Sequence, residues 1–300
     1  IDTVDYWTHR DALDNKELPA SLAIVGGGVI GMEFASFFSS LGVQVTVVEM
    51  LDEVLNGMDK ELSALLRAEY AKRGVKFLLS TKVTSLSPND DGVAVAYENA
   101  EGTGSVVAEK ILMSVGRRPV TKGFGLENLG LVLTERGNVA VNNKMQASVP
   151  GVYVCGDLTG FSLLAHTAVR EAEVAVHAIL DKEDTMSYRA IPGVVYTNPE
   201  IAGVGQTEES LLAKGIPFHV IKLPMAYSGR FVAENEGVNG MCKVFIGEDK
   251  TILGAHILGN PASEIITLAG MAVEMKLTVA EWKKIVFPHP TVAEIFREAL

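Results

Sequence analysis

The apolar run Leu22-Ala23-Ile24-Val25 is interrupted by Gly26-Gly27-Gly28. From Val29 to Leu41 the apolar positions Ile30, Phe34, Phe37, Phe38 and Leu41 recur at mixed helical spacing and predict a buried helix, which Gly42 ends. The β-branched stretch Val43–Val48 predicts a strand. Met58–Arg73 places Leu62, Leu65, Leu66, Glu69 and Tyr70 so as to give an amphipathic helix, with Gly74 behind it as a C-cap. Val75–Leu79 is the next strand. Strand, helix, strand, helix, strand is the alternation of a parallel sheet with crossover helices.

After Lys82 the period changes. Val83–Leu86, Val93–Tyr97 and Val106–Ser114 read as short strands separated by Pro88-Asn89-Asp90-Asp91-Gly92 and Glu101-Gly102-Thr103-Gly104, an antiparallel meander. Residues 117–150 are loop-rich, with a short strand at Val139–Val141. A strand at Val152–Val154 leads through Cys155-Gly156-Asp157 to a helix over Leu163–Leu180, and Asp181-Lys182-Glu183-Asp184 follows as a charged connector. Beyond Tyr188 the pattern is α+β, with strands at Val194–Thr197, Phe218–Leu223, Met241–Ile246 and Ile252–Leu258. Its helices are expected over Thr207–Lys214, Ser263–Met275 and Thr291–Ala299. Residues 1–20 are polar and irregular and read as a connector.

Three hundred residues correspond to about two domains at roughly 150 residues each. Lys plus Arg number 26 and Asp plus Glu 37, a net charge of −11. This balance excludes the basic footprint of a nucleic-acid binder and a polybasic membrane anchor. No apolar run is long enough to span a bilayer, and Ile1-Asp2-Thr3-Val4-Asp5 is no signal peptide, so a cytoplasmic protein is expected. Cys155 and Cys242 are too few and too far apart for a disulfide scaffold or a cysteine zinc site, and no metal is expected.

Gly26-Gly27-Gly28-Val29-Ile30-Gly31 fits G-x-G-x-x-G, follows a strand and opens a helix. Gly26 permits the tight turn, Gly28 lets backbone approach a pyrophosphate, and Gly31 lets helix pack on strand. The helix N-terminus offers unpaired N–H groups and positive potential to the phosphates. Glu49 ends the second strand 18 residues after Gly31, where a carboxylate accepts from both hydroxyls of an adenine ribose. That favours NAD over NADP, and Met50, Leu51 and Asp52 supply no arginine for a 2′-phosphate.

Gly26–Glu33, Val115-Gly116-Arg117-Arg118-Pro119, Cys155-Gly156-Asp157 with Leu163-Leu164-Ala165-His166, and His289-Pro290-Thr291 with Glu294 occur in one order. In this the chain resembles the flavin-dependent pyridine nucleotide–disulfide oxidoreductases, over essentially its whole length, and within them the branch that oxidises dihydrolipoamide. The resemblance implies an α/β fold: a Rossmann-like NAD-binding domain with antiparallel meander, a partial FAD domain, and a C-terminal α+β interface (dimerisation) domain. The expected ranges are 1–17 connector, 18–116 NAD-binding domain, 117–187 second segment of the FAD domain and 188–300 interface domain. The family's first glycine motif for FAD and its C-x-x-x-x-C pair do not occur in these residues. The chain is therefore expected to be a fragment and inactive alone.

The same resemblance implies the site residues. Gly26, Gly27, Gly28, Val29, Ile30, Gly31, Met32 and Glu33 would line the dinucleotide with Glu49, Val83 and Gly116. Glu33 would lie near the nicotinamide and flavin; otherwise it is a solvated acid near a helix start. Asp157 would hold the flavin's ribityl chain, and Leu163, Leu164, Ala165 and His166 would face its ring, with a packed or capping histidine as the equal alternative for His166. His289, oriented by Glu294, would be the acid–base group that takes a thiol proton at the other subunit's disulfide. The implied partners are FAD, NAD, dihydrolipoamide on the lipoyl domain of a 2-oxoacid dehydrogenase or glycine cleavage complex, and a second copy of the chain. The apolar helix carrying Ile265, Ile266, Leu268, Ala269, Met271 and Ala272 is expected at the dimer interface. A glutathione reductase-like enzyme, a transhydrogenase and a non-catalytic NAD-binding or dimerisation module remain the alternatives.

Overall fold

The computed structural model describes residues 4–300; the part of the expected connector formed by Ile1-Asp2-Thr3 lies outside the described residues. The chain divides into two compact units. One comprises the chain up to Gly116 together with Pro192–Leu300, the other Arg117–Ile191.

The first unit opens with an element that the polar pattern does not predict, α1 (His9–Asp14). Its start is a reciprocal cap: Thr8 Oγ1 accepts from Arg10 N, and the Asp11 carboxylate accepts from Thr8 N at 2.7 Å. Just before it, Trp7 N donates to Ile111 O and Met113 N to Trp7 O, so this segment is paired chain and not an irregular connector. The predicted alternation then follows as β1 (Ser21–Val25), α2 (Val29–Ser40), β2 (Gln44–Val48), α3 (Lys60–Lys72) and β3 (Lys76–Leu78). The meander is β4 (Lys82–Asn89), β5 (Gly92–Asn99) and β6 (Gly102–Ala108). β4 runs through Pro88 because it is an edge strand, where a missing N–H costs no ladder bond. β7 (Lys110–Met113) pairs parallel with β1 and completes the sheet order β3-β2-β1-β7.

The single strand expected over Val106–Ser114 is therefore two strands in two sheets. The chain changes sheet at Glu109, which is pinned from both sides. Ala20 N donates to Glu109 Oε2 at 2.7 Å, and Glu109 N donates to Ser21 Oγ at 3.0 Å.

The second unit contains α4 (Ala165–Ile179) and much irregular chain. The strands expected at Val139–Val141 and Val152–Val154 are reduced to isolated bridges, Val139 to Leu133, Val141 to Ala147 and Tyr153 to Gln146. A small core of Met145, Val174, Ala175 and Met186 holds the unit. Asp184 is bonded by Arg170 Nη2 at 2.5 Å and lies 2.7 Å from His177 Nδ1. The guanidinium first and the imidazole second hold its carboxyl well below the usual range.

The rest of the first unit consists of β8 (Gly193–Val195), β9 (Ile201–Gly205), α5 (Glu208–Ala213), β10 (Phe218–Pro224), α6 (Gly229–Glu234), β11 (Met241–Gly247), β12 (Ile252–Leu258), α7 (Ala262–Glu274), α8 (Val279–Trp282) and α9 (Ile295–Glu298). Its strands form one antiparallel sheet in the order β10-β11-β12-β9-β8. The helix expected over Thr291–Ala299 is a 3₁₀ turn at Val292–Glu294 that continues into α9. α7 turns Ile265, Ile266, Ala269, Ala272 and Val273 into the protomer and leaves Leu268, Met271 and Met275 exposed.

A single core joins the two halves of this unit. Leu22, Ile24, Phe38, Leu62, Leu66 and Tyr70 pack in one cluster with Val195, Ile201 and Leu258. Each such fully buried large side chain stabilises by roughly 1.5–3 kcal/mol. The Tyr70 hydroxyl reinforces the joint by accepting from Asn198 N at 3.0 Å. Among the described residues no helix is long and apolar enough to cross a membrane.

Candidate functional site

The glycine turn between β1 and α2 shows what each glycine is for. Gly26 has φ +104°, and a Cβ there would stand 2.3 Å from Ser114 O. A Cβ on Gly31 would stand 2.0 Å from Gly26 O. The protein's own backbone therefore excludes side chains at both positions. A Cβ on Gly28, by contrast, meets nothing within 4 Å, so the turn is open on that side. Gly28 is also the N-cap of α2 and supplies no side-chain cap. The first-turn N–H groups of α2 are thus suited to an anion approaching over Gly28.

Glu49 stands beside this turn at the end of β2. Its Oε2 accepts from Gly27 N at 2.5 Å and its Oε1 from Leu51 N at 2.8 Å. A carboxylate has about four acceptor sites, so both oxygens retain capacity for a ribose diol. The open Gly28 face, the helix start and this half-used carboxylate fit a dinucleotide. Glu33 is half-buried in α2, and its Oε1 accepts from Tyr196 N at 2.9 Å. Val29 is exposed, Ile30 half-buried and Met32 buried in the core. Val83 is half-buried in β4 and packs on the cluster that includes Val25, Leu86 and Val95. Gly116 is exposed at φ +105°, with nothing within 4 Å of a Cβ built on it.

In the second unit Asp157 is exposed in a 3₁₀ turn over Gly156–Leu158, ahead of α4. Asn138 Nδ2 donates to its carbonyl at 3.3 Å, which leaves the carboxylate outside that bond. Leu164 is the N-cap of α4 and provides no side-chain cap; Leu163, Ala165 and His166 are exposed around this helix start. An exposed acid after a glycine and a helix start without a side-chain cap suit a polyol chain and an electron-rich ring.

His289 and Glu294 are brought together in the first unit. Nδ1 lies 3.0 Å from Glu294 Oε1, and the ring is 83% exposed. Glu294 Oε2 accepts from Thr291 N at 2.7 Å, which fixes the carboxylate. That backbone bond first, then the imidazole, holds Glu294 below the usual carboxylate range. With the proton on Nδ1, Nε2 is a bare base facing outward. Thr291 is the N-cap of the 3₁₀ turn Val292–Glu294, which sets Glu294 beside His289.

Two buried charged residues carry structure that the sequence pattern conceals. Lys243 in β11 is fully buried with Asp59, Glu61 and Glu208 around its ammonium. Glu171 in α4 is fully buried and accepts from Gly156 N and Tyr188 OH. The available clue is the same for both: a charge set within an otherwise apolar stripe. Cys242 is buried, and burial pushes its thiol up to about 12. Cys155 is exposed, yet partial burial and the charge of Glu171 raise its thiol too. Neither has the lowered pKa of a reactive cysteine.

These features are those of a dinucleotide-binding α/β protein with an attached antiparallel interface sheet, and the chain belongs to the pyridine nucleotide–disulphide oxidoreductase family. The family's main model matches residues 1–172, and the model of its dimerisation domain matches residues 191–300. Curated relatives are dihydrolipoyl dehydrogenases. That of Thermus scotoductus is 40% identical over 98% of this chain and 64% of its own length. The mitochondrial one of Homo sapiens is 38% identical over 96% of this chain and 57% of its own length. The chain thus spans about three fifths of these relatives. Among solved structures, LpdA of Mycobacterium tuberculosis matches with a TM-score of 0.89 at 30% identity, over 97% of this chain and 63% of that one. The HOCl-induced flavoprotein disulfide reductase RclA of Escherichia coli matches with a TM-score of 0.88 at 26% identity, over all of this chain and 68% of that one.

Proposed function

We propose that this chain carries the NAD(H)-binding and subunit-interface parts of a flavoprotein that oxidises dihydrolipoamide, and that it works as a homodimer. The observation that carries the nucleotide reading is the Glu49 carboxylate, held by Gly27 N and Leu51 N beside the open Gly28 face. The pyrophosphate is received by the first turn of α2, and the adenine ribose by Glu49. A 2′-phosphate would meet that carboxylate, so NADP(H) is disfavoured. Val83, Gly116 and Glu33 complete the nicotinamide side. Asp157 and Leu163–His166 hold the flavin of the intact protein, where FAD supplies the two-electron relay between thiols and nicotinamide. His289 takes the thiol proton on Nε2, and Glu294 orients the ring and stabilises its charged form. Cys155 and Cys242 lack the spacing and the thiol acidity of a redox pair, so the disulfide step is assigned to other cysteines.

Titration calorimetry with NADH and NADPH tests this. NADH is expected to bind at least about tenfold more tightly, a difference of about 1.4 kcal/mol, and Glu49→Gln is expected to erase most of that preference. Equal or tighter NADPH binding by the unmodified chain would refute the role of Glu49.

The dimer is tested on α7. Ala269 faces the protomer's own interior at 2% exposure, whereas Met271 is 56% exposed, so the informative change is Met271→Glu. An obligate interface covers more than about 2,000 Å², and an unpaired carboxylate within it costs several kcal/mol. Light scattering at low micromolar concentration is expected to give a dimer for the unmodified chain and a monomer for the variant. A folded monomer in both would remove the basis for His289 acting across subunits.

A further inference from the structure

A lysine with no exposed side-chain surface is costly unless its charge is paired and hydrogen-bonded. Lys243 lies in β11, the second strand of the interface sheet, and its ammonium bonds both to Glu208 of α5 and, across the unit, to Asp59 and Glu61 of the nucleotide-binding half. Nζ is 3.0 Å from Asp59 Oδ1 and 2.8 Å from Asp59 Oδ2, 2.9 Å from Glu61 Oε2, and 2.8 Å from Glu208 Oε2. Lys222 adds a second cation 2.6 Å from the same Glu61 oxygen. Burial pulls the Lys243 ammonium down, but the bonds to Asp59, Glu208 and Glu61 outweigh it and hold it above its ordinary range.

Asp59 is itself fully buried and is the N-cap of α3, accepting from Leu62 N at 3.1 Å. Immediately before it runs the loop that backs the glycine turn. Met58 N donates to Leu55 O at 3.0 Å, and Leu55 N donates to Gly27 O at 2.8 Å. A Cβ on Gly27 would stand 2.9 Å from Val54 Cγ1, so the loop is pressed against the turn. Leu55 holds φ +56°, a conformation leucine rarely adopts, so the loop is shaped by its anchors. Gly27 is the same residue whose N–H positions Glu49.

We infer that Lys243 is a positioning residue for the dinucleotide, through the path Lys243–Asp59–Met58–Leu55–Gly27 by which the interface sheet holds the nucleotide-binding turn in place. This rests on the nucleotide reading above. The competing role is a clamp that only joins the two halves. A clamp would change stability without changing the turn in molecules that remain folded.

The test uses Lys243→Met combined with Asp59→Asn, which removes the tie and the uncompensated carboxylate while retaining an N-cap side chain. The control is Phe231→Leu, a core change in α6, away from this path. Circular dichroism and urea unfolding establish folding and stability of each. NADH affinity is measured by fluorescence titration, and exchange of the Leu55 amide hydrogen by NMR without nucleotide. The double variant is expected to bind NADH about tenfold more weakly and to exchange the Leu55 amide at least about tenfold faster than a control of equal stability. Wild-type NADH affinity in the double variant, or Leu55 exchange no faster than the control, would overturn the inference and leave the nucleotide reading standing. An unmodified chain that binds no NADH would overturn both.

Discussion

Gly31→Ala is expected to weaken NADH binding by about a hundredfold, close to 2.7 kcal/mol, and to destabilise the fold by about 1–3 kcal/mol. The new methyl carbon would lie 2.0 Å from Gly26 O, 3.2 Å from Gly26 C and 3.3 Å from Ile24 Cγ2. Two of these three atoms are backbone, so α2 must lift from β1 to admit it. That movement displaces the helix start from the turn it serves, which is why binding and stability fall together. Gly28→Ala separates the two effects. Gly28 has φ −70° and open space around a Cβ, so alanine there is expected to leave the urea midpoint unchanged. The methyl group would still occupy the face assigned above to a pyrophosphate, so affinity is expected to fall. Calorimetric titration and urea unfolding of both variants check this. If Gly31→Ala binds NADH like the unmodified chain, the packing role assigned to Gly31 is wrong.

The elements that surround this turn were legible in order and type, although α2 was expected to be a buried helix and leaves Val29, Phe37 and its C-cap Leu41 exposed. β1, α2, β2 and α3 alternate in strand and helix patterns, and Glu49 falls at the end of a strand where an acid has a recognisable use. Other parts were hidden for definite reasons. β9 contains Gly203 and Gly205, and glycine reads as a breaker. In the fold these glycines are required, because a Cβ on Gly203 would sit 2.2 Å from His256 Nδ1 and one on Gly205 2.4 Å from Leu253 O. β6 and β7 read as a single strand because only Glu109 marks the passage from one sheet to the other, and its partners Ala20 and Ser21 lie far away in the chain.

Polar groups that act through tertiary contacts were the least legible. His289 and Glu294 are five residues apart, and the resemblance paired them within one short motif. Lys243 and Asp59 are separated by 184 residues, and nothing local to either announces the other. Glu33 likewise looks like a solvated helix acid until Tyr196 N is seen to donate to it across 163 residues. Met241–Ile246 is apolar apart from Lys243, and such a stretch indicates a strand buried on both faces. A lysine inside such a stretch is buried only with partners, but the stretch does not say which residues those partners are.

Glu171→Leu is expected to destabilise the second unit by about 3–5 kcal/mol and to lower the pKa of Tyr188. Glu171 is 0% exposed and lies on the face of α4 that also buries Thr167, Val174 and Ala175. Its Oε2 accepts from Gly156 N at 2.5 Å and its Oε1 from Tyr188 OH at 2.6 Å. Leucine fills similar space but accepts nothing, so a buried amide and a half-buried phenol lose their acceptor. Each unmet buried donor costs about 1–3 kcal/mol, and bonds to a charged acceptor lie at the upper end. Burial first, then the bond to Glu171, holds the Tyr188 phenol above its ordinary range. Removing the carboxylate withdraws both the bond and the like-charge repulsion of a phenolate, so the titration should move towards the usual value of about 10. Ultraviolet difference titration of the phenol and urea unfolding read the two effects. Glu171→Gln retains one acceptor oxygen and removes the charge, so it is expected to fall between the parent and the leucine variant in both. The Gly156–Leu158 turn carries Asp157, so loss of the Gly156 bond also frees the acid assigned to the flavin's polyol chain. An unchanged Tyr188 titration together with an unchanged urea midpoint in Glu171→Leu would show that this carboxylate does not hold the turn.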